Sequence, residues 1–285
     1  MAPKTSWVIW VLTAAICLLI GPSHALTIPQ SSSKSIGTQS LQKRQLPLPK
    51  KVYRGSPMSP EQVRALGGFI PRGVGEATSN DTFSLRNHHR GNNPTAYTST
   101  SRSFGVGLGY SVKHGDGWVY KIHATPNMID MDGSNFRLDH AHEEEFSALG
   151  GVLFNQIQAW MFIPSTITAG GVTVEDVVKY HDFETFAGQY PNYTWTENIG
   201  YNHRYDFLHA SHGQPQLAGD KYNKFLHKSK TLEEYAAEFM NKNGCPVGWD
   251  GKFPLSFAAN AIGSLSVRTT GEMKLTSRYI RPLQH

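Results

Sequence analysis

Three short motifs hold the residue types in this chain that could do chemistry. Arg54 follows Val52-Tyr53, residues 99–101 read Ser-Thr-Ser, and residues 143–145 read Glu-Glu-Glu. An arginine fork matches the oxygens of a phosphate group, and a carboxylate can stabilise positive charge that develops during a reaction. Each motif alone is a weak signal, because such side chains usually lie on the solvated surface.

The acidic triplet holds two carboxylates separated by one residue. In an extended segment, positions i and i+2 point to the same side of the chain. We therefore expect Glu143 and Glu145 to face one cleft and Glu144 to face away from it.

In this order, the three motifs resemble those of the enzymatic fragment of the cholera toxin and heat-labile enterotoxin family, the R-S-E class of mono-ADP-ribosyltransferases. The resemblance covers about 200 residues, and so many ordered matches are far more specific than any one motif. It is clearest at residues 67–73, 85–91, 124–128 and 147–151, and it is weaker at 200–205, 217–219 and 244–245. The chain is therefore expected to be a secreted, fungal-type toxin of this class.

The resemblance implies NAD as the substrate and no metal. It assigns Arg54 to the phosphates of NAD and His88 to the neighbourhood of the same ligand. It also assigns the triplet Ser99, Thr100 and Ser101 to NAD binding, and Ser99 is further expected to hold the catalytic carboxylate in position.

The two glutamates take different roles by the same resemblance. Glu145 matches the catalytic glutamate, since cleavage of the nicotinamide bond builds positive charge on the ribose that a carboxylate stabilises in the transition state. Glu143 matches the glutamate that engages an acceptor arginine, whose guanidinium stays charged and needs a negative partner. The expected partner is a host protein with such an arginine, and the family suggests the alpha subunit of a G protein. Whether a binding subunit exists is left undetermined.

Short strands and irregularly placed helices must position these residues. Strand chemistry is found at 52–54, 96–101, 118–123 and 157–162. Capping boxes begin helices at Ser59 and Thr231, and the glycine-rich stretch 103–112 is a further helix. This pattern predicts an α+β fold with ADP-ribosyltransferase-like split, mostly antiparallel β-sheets and peripheral helices.

The ends of the chain predict a secretory route. Residues 1–25 have the cation, apolar run and small-residue site of a signal peptide, and the run is shorter than the roughly 20 apolar residues of a membrane span. Residues 26–44 are a polar propeptide that ends at the dibasic pair Lys43-Arg44. The transferase domain is expected at 45–247, followed by an extension of unclear role at 248–285. The mature protein is then secreted and extracellular.

Composition narrows the partners. The formal net charge is +5, but no cluster of Lys and Arg indicates a nucleic-acid groove. No segment after the signal peptide predicts stable membrane insertion. Removal of the signal peptide leaves Cys245 as the single cysteine, which predicts a mature chain without an internal disulfide.

Three alternatives remain open. Asp139, His140 and His142 with Glu145 offer ligands for a metal-dependent secreted hydrolase, although their spacing fits no common zinc motif. Two carboxylates also suit a glycoside hydrolase. A non-catalytic secreted recognition module could keep the same fold. Consumption of NAD that resists a chelator separates the transferase from all three.

Overall fold

The computed structural model describes residues 47–73, 80–91, 94–136, 138–168, 176, 178–219, 230–253 and 255–257. The signal peptide, the propeptide with its dibasic pair and the C-terminal segment 258–285 lie outside these residues.

The described strands form two antiparallel sheets. The larger sheet has seven strands in the order β5-β6-β3-β1-β4-β8-β9, and the smaller pairs β2 with β7. Their bounds are Lys51–Ser56 for β1, Gly68–Phe69 for β2, Tyr97–Ser101 for β3, Gly117–His123 for β4, Met128–Asp130 for β5, Glu145–Leu149 for β6, Val152–Leu153 for β7, Ile157–Ile163 for β8 and Thr196–Glu197 for β9.

Five α-helices are described around these sheets, together with several short 3-10 turns. They are α1 at Pro60–Ala65, α2 at Leu85–Arg90, α3 at Phe104–Val112, α4 at Phe183–Gln189 and α5 at Leu232–Asn243. The predicted α+β fold with mostly antiparallel split sheets is confirmed. Among the described residues, no helix has the length and apolar character that crossing a membrane requires.

Local chemistry explains where the helices begin. The Ser59 side chain accepts from the Gln62 amide and the Gln62 side chain accepts from the Ser59 amide, so the predicted capping box begins α1. Thr231 and Glu234 form the same reciprocal pair at the start of α5. Each pair satisfies backbone donors that the first helical turn leaves without partners.

Helix α3 lies very close to strand β1, and its glycines permit this. A Cβ atom on Gly55 of β1 would lie 2.2 Å from the carbonyl oxygen of Gly107 in α3. The glycine spacing that makes α3 a poor helix by propensity is thus what allows it to pack on the strand that carries Arg54.

The central sheet is buried on both faces. Along β1, Val52 packs in one apolar cluster and Tyr53 in another. In β4, Tyr120 packs in the cluster of Val52, and Val119 packs in the cluster of Tyr53. A two-sided sheet holds its strands rigidly, because alternate side chains on both faces are packed.

A third apolar cluster extends past the predicted end of the transferase domain at residue 247. Leu255 and Phe257 are buried in the same cluster as Leu85 of α2 and Leu149 of β6. Trp249, Phe253, Leu255 and Phe257 thus help to pack the elements around the site. Cys245 lies exposed just after α5, and Cys17 lies outside the described residues.

Candidate active site

Strand order brings the predicted motifs together. Strand β3 lies between β6 and β1, so the acidic triplet, the Ser-Thr-Ser triplet and the arginine stand on neighbouring strands. Ser101 is opposite Glu145 on one side and Tyr53 on the other, and Ser99 is opposite Ser147. Residues that are far apart in sequence therefore meet on three adjacent interior strands of the sheet.

The guanidinium of Arg54 is held in place at one nitrogen, and another of its nitrogens has no hydrogen-bond partner among the described residues. Its Nη1 donates to the backbone carbonyl oxygen of Ser99 at 2.5 Å, and its guanidinium lies 5.0 Å from the ring centre of Phe69. Its Nε is buried and has no hydrogen-bond partner among the described residues. Burial, with Arg72 adding to it and Glu145 opposing, lowers the pKa of Arg54 to about 10, so the group remains a cation at neutral pH.

Helix α2 presents two consecutive histidines to the site. Ser84 caps its start by accepting from the Asn87 amide, and Gly91 ends it with a φ of 69°. His88 is held at both ring nitrogens: Nδ1 lies 2.7 Å from Thr95 Oγ1 and Nε2 lies 2.9 Å from Ser99 Oγ.

Glu145 is the most enclosed acidic group of the site, with a side chain that is 8% exposed. Its Oε1 lies 3.2 Å from His88 Nε2 and accepts from Ser147 Oγ at 2.9 Å. Its Oε2 lies 3.6 Å from His89 Nδ1. Burial raises the pKa of Glu145, but the two imidazoles and the Ser99 hydroxyl outweigh burial and hold it well below its usual range. The carboxylate is therefore ionised at neutral pH.

His89 contacts the backbone on its other side. Its Nε2 accepts from the Asp139 amide at 2.9 Å and faces the His140 amide at 3.3 Å. The Glu145 carboxylate raises the pKa of His89. Burial of the ring opposes this rise in pKa but does not cancel it.

Glu143 does not adopt the extended conformation that we expected. It ends a 3-10 turn at Ala141–Glu143, and Glu144 follows with a φ of 44°, so the chain becomes extended only at Glu145. The alternation argument is therefore wrong for this pair. A left-handed residue between the two glutamates reverses the chain locally, as happens in turns.

The turn gives each glutamate its own surroundings. Glu143 Oε1 accepts from the hydroxyl of Tyr110 on α3 at 2.7 Å. Burial and the nearby carboxylates raise the pKa of Tyr110, so its hydroxyl stays protonated and donates. Glu144 instead contacts His181 at 3.1 Å and Arg102 at 4.0 Å.

The other two hydroxyls of the Ser-Thr-Ser triplet serve the backbone. Thr100 Oγ1 donates to the Phe146 carbonyl at 2.6 Å, and Ser101 Oγ donates to the Glu143 carbonyl at 2.5 Å. Both residues are buried. Thr100 therefore joins β3 to β6, and Ser101 anchors the turn before β6. Their expected role in binding NAD stays a prediction.

A cavity of about 570 Å³ borders Glu143. Its walls come from α3, with Val106, Tyr110 and Lys113, and from the turn that carries Glu143. The cavity therefore lies on the Tyr110 side of the acidic triplet.

The histidine-rich segment does not form a metal site among the described residues, where no group of three His, Cys, Asp or Glu side chains could hold an ion. The rings of His140 and His142 are perpendicular, with centres 6.0 Å apart. This segment contacts the site through its backbone, because the Asp139 amide donates to His89.

Sequence reasoning missed His89 and Tyr110. The pair His88-His89 could have indicated His89, because the last turn of a helix that places one imidazole at a site can also place the imidazole of the next residue there. Tyr110 carried no signal, since an exposed aromatic residue at the end of a helix has many structural uses.

Comparison with known proteins agrees with this geometry. The family described as the heat-labile enterotoxin alpha chain matches residues 46–232. The A chain of heat-labile enterotoxin IIB from Escherichia coli is 31% identical over 134 residues, which are 42% of this chain and 51% of that protein. The A chain of cholera enterotoxin from Vibrio cholerae is 32% identical over 124 residues, which are 39% of this chain and 48% of that protein. The matches thus span about half the length of these relatives.

A third relative and a solved structure extend the comparison. The Vibrio cholerae protein named NAD(+)–arginine ADP-ribosyltransferase Chelt is 30% identical over 125 residues, 39% of this chain and 21% of that protein. A solved double mutant of heat-labile enterotoxin has the same fold, with a TM-score of 0.50 and 20% identity, covering 69% of this chain and 92% of that chain. Because the family match includes more than half of the chain and every residue of the site, the chain belongs to the heat-labile enterotoxin alpha chain family.

Proposed function

We propose that this protein is a secreted NAD–protein-arginine mono-ADP-ribosyltransferase, which cleaves NAD and transfers ADP-ribose to an arginine of a host protein. The observation that carries the proposal is the enclosed carboxylate of Glu145 on the strand next to the Ser-Thr-Ser strand, which in turn borders the strand of the partly buried cation Arg54. A negative group that stabilises a developing cation and a fork that binds phosphate are the two groups this reaction requires.

The residues of the NAD side fit that ligand. The Nε of Arg54 is a buried donor without a hydrogen-bond partner among the described residues, as a site for an anionic pyrophosphate needs. Arg54 would hold the phosphates, and Ser99 and His88 would keep the Glu145 carboxylate oriented. NAD supplies a glycosidic bond whose cleavage leaves positive charge on the ribose. Glu145 stabilises that charge from a fixed position, so little reorganisation is needed during the reaction.

The acceptor side fits a guanidinium. Glu143 uses Oε1 to accept from Tyr110 and stands beside the cavity described above. An arginine that enters from this cavity meets a carboxylate whose second oxygen can accept its N–H groups. The name of the Vibrio cholerae relative, which specifies arginine, supports this acceptor class. We propose the alpha subunit of a G protein as the host acceptor.

Secretion and processing belong to the same proposal. The signal peptide 1–25 and the cut after Lys43-Arg44 would expose Gln45, nine residues before Arg54. N-terminal sequencing of the secreted protein should find Gln45 first. A major species that begins at Leu26 would remove the propeptide.

The direct test incubates the secreted protein with NAD labelled in its adenine half and with a small guanidine acceptor. We expect release of nicotinamide and a labelled acceptor, both unaffected by a chelator. Binding of NAD without its consumption would identify a recognition module. Activity that a chelator abolishes would instead support a metal-dependent enzyme. Transfer to water alone, which gives free labelled ADP-ribose and an unlabelled guanidine, would contradict arginine as the acceptor.

A further inference from the structure

His89 lies between the two functional parts of the site, and neither the resemblance nor the proposed function gives it a role. Its side chain is only 3% exposed. One ring nitrogen faces Glu145 Oε2, and the other faces the backbone of Asp139 and His140. The Phe136 and His140 rings lie against it, with centres 6.1 and 5.6 Å away, and hold the orientation of its ring.

The backbone contacts fix the tautomer of His89. A backbone amide can only donate, so Nε2 must accept from Asp139 and carries no proton in this arrangement. The proton of the neutral ring then resides on Nδ1. That Nδ1–H is buried, has no hydrogen-bond partner among the described residues, and lies 3.6 Å from Glu145 Oε2, within ion-pair distance but beyond hydrogen-bond distance.

The two oxygens of Glu145 differ in how they are held. Oε1 has both His88 and Ser147 within hydrogen-bond distance, whereas His89 Nδ1 is the contact described for Oε2. An oxygen with one distant donor retains capacity to accept from a ribose hydroxyl. Once Oε1 is held, His89 is the side chain placed to orient that oxygen.

We propose that His89 is a positioning residue that orients Oε2 of Glu145 and couples it to the backbone segment leading into the Glu143 turn. The proposal rests on the proposed cleavage of NAD. Asp139 and His140 directly precede the turn at Ala141–Glu143, so one imidazole joins the catalytic carboxylate to the segment that carries the acceptor glutamate.

Replacing His89 by asparagine or by glutamine separates its contact with Glu145 from its contact with the Asp139 amide. The side-chain amide of asparagine reaches the position of Nδ1 and can donate to Oε2, but it cannot accept from the Asp139 amide. The side-chain amide of glutamine reaches the position of Nε2 and can accept from that amide, but it leaves Oε2 without its donor. His114→Gln, at an exposed histidine before β4, serves as the matched control.

The measurements are nicotinamide release and transfer to a small guanidine, each resolved into kcat and KM for NAD. We expect His89→Gln to lower kcat for both activities about 10-fold, with KM changed less than about threefold, since the Glu145 carboxylate loses the polar group that faces its Oε2. We expect His89→Asn to keep nicotinamide release within about threefold of wild type while transfer falls about 10-fold, because the turn loses its anchor.

Other outcomes would overturn this role. If His89→Gln is as active as wild type, or if both variants lose both activities equally, His89 does not position the carboxylate in this way. Nitrogen-15 NMR of the wild-type His89 imidazole provides a test that needs no variant. The Glu145 carboxylate raises the pKa of His89, so the spectrum is recorded at a pH above that pKa, where the ring is neutral, and it should find the proton on Nδ1 alone. A neutral ring with its proton on Nε2 would overturn the proposal. A wild-type protein that releases no nicotinamide would contradict the proposed function itself.

Discussion

The two glutamates of the site are separated by a single residue, but one is enclosed and the other borders open space. Glu145 is buried at the start of a strand, faces two imidazoles and accepts from a serine hydroxyl. Glu143 ends a 3-10 turn, accepts from the hydroxyl of Tyr110 on a neighbouring helix, and borders an open cavity. The first carboxylate is enclosed by packed side chains, and the second borders open space.

This difference matches what each step of the proposed reaction requires. Stabilising a short-lived cation on the ribose needs a charge fixed in advance, and the packed strands and α2 provide it. Capturing an arginine on the surface of another protein needs a charge that the partner can reach and that can adjust to it. The left-handed Glu144 lets one short segment serve both purposes.

The largest effect should come from Glu145→Gln. Both NAD hydrolysis and transfer pass through the same positive charge, so both should fall about 100- to 1,000-fold. A nicotinamide-release assay measures this. Glu144→Gln is the matched control, since its carboxylate contacts His181 and Arg102 instead, and it should remain close to wild type. Substantial turnover by Glu145→Gln would mean that another group stabilises the charge.

Arg54→Lys should have the next largest effect. Lysine keeps the positive charge but cannot hold the Ser99 carbonyl and a phosphate with one planar fork. We expect the KM for NAD to rise about tenfold or more in both activities. Thermal unfolding checks that the sheet stays intact. An unchanged KM would show that the phosphates bind elsewhere.

Tyr110→Phe should affect only the acceptor side, and more weakly. It removes the hydroxyl that donates to Glu143 Oε1 and retains the ring. Loss of one such bond corresponds to about 1 kcal/mol, which is about a three- to tenfold loss of transfer with unchanged nicotinamide release. Equal losses in both assays would imply that α3 supports the whole site rather than the acceptor glutamate.

The smallest effect concerns stability and pH. Because the pKa of Glu145 is lower in the folded protein than the value of about 4.3 in an unfolded chain, its ionised form contributes stability above that pH. This contribution is lost as the pH falls through the folded pKa. Urea denaturation measures the unfolding free energy of wild type and of Glu145→Gln at each pH. The difference between the two proteins should be larger at pH 5 than at pH 3, by about 1 kcal/mol or more. A pH-independent difference would contradict the assigned pKa direction.

The sequence was most informative where a signal is local or repeated. The capping boxes at Ser59 and Thr231 specify where helices begin, and alternating side chains at 118–123 and 157–162 specify strands. These predictions are confirmed, as are the family and the fold class. Such signals need no knowledge of what each element packs against.

The sequence was least informative where tertiary contacts decide the conformation. The segment 143–145 was expected to be extended, but hydrogen bonds from Ser101 and Tyr110 hold Glu143 in a turn. The sequence also did not predict that the hydroxyl groups of Thr100 and Ser101 bond to the backbone carbonyls of Phe146 and Glu143. The roles of all the predicted site residues remain predictions.

The most direct test of the account is Glu143→Gln, assayed for nicotinamide release and for guanidine transfer in the same preparation. If the two glutamates divide the reaction, transfer falls about 100-fold or more while nicotinamide release stays within about threefold of wild type, since water replaces the arginine. The result that would contradict the account is transfer at the wild-type rate, or a parallel loss of both activities together with a lower melting temperature.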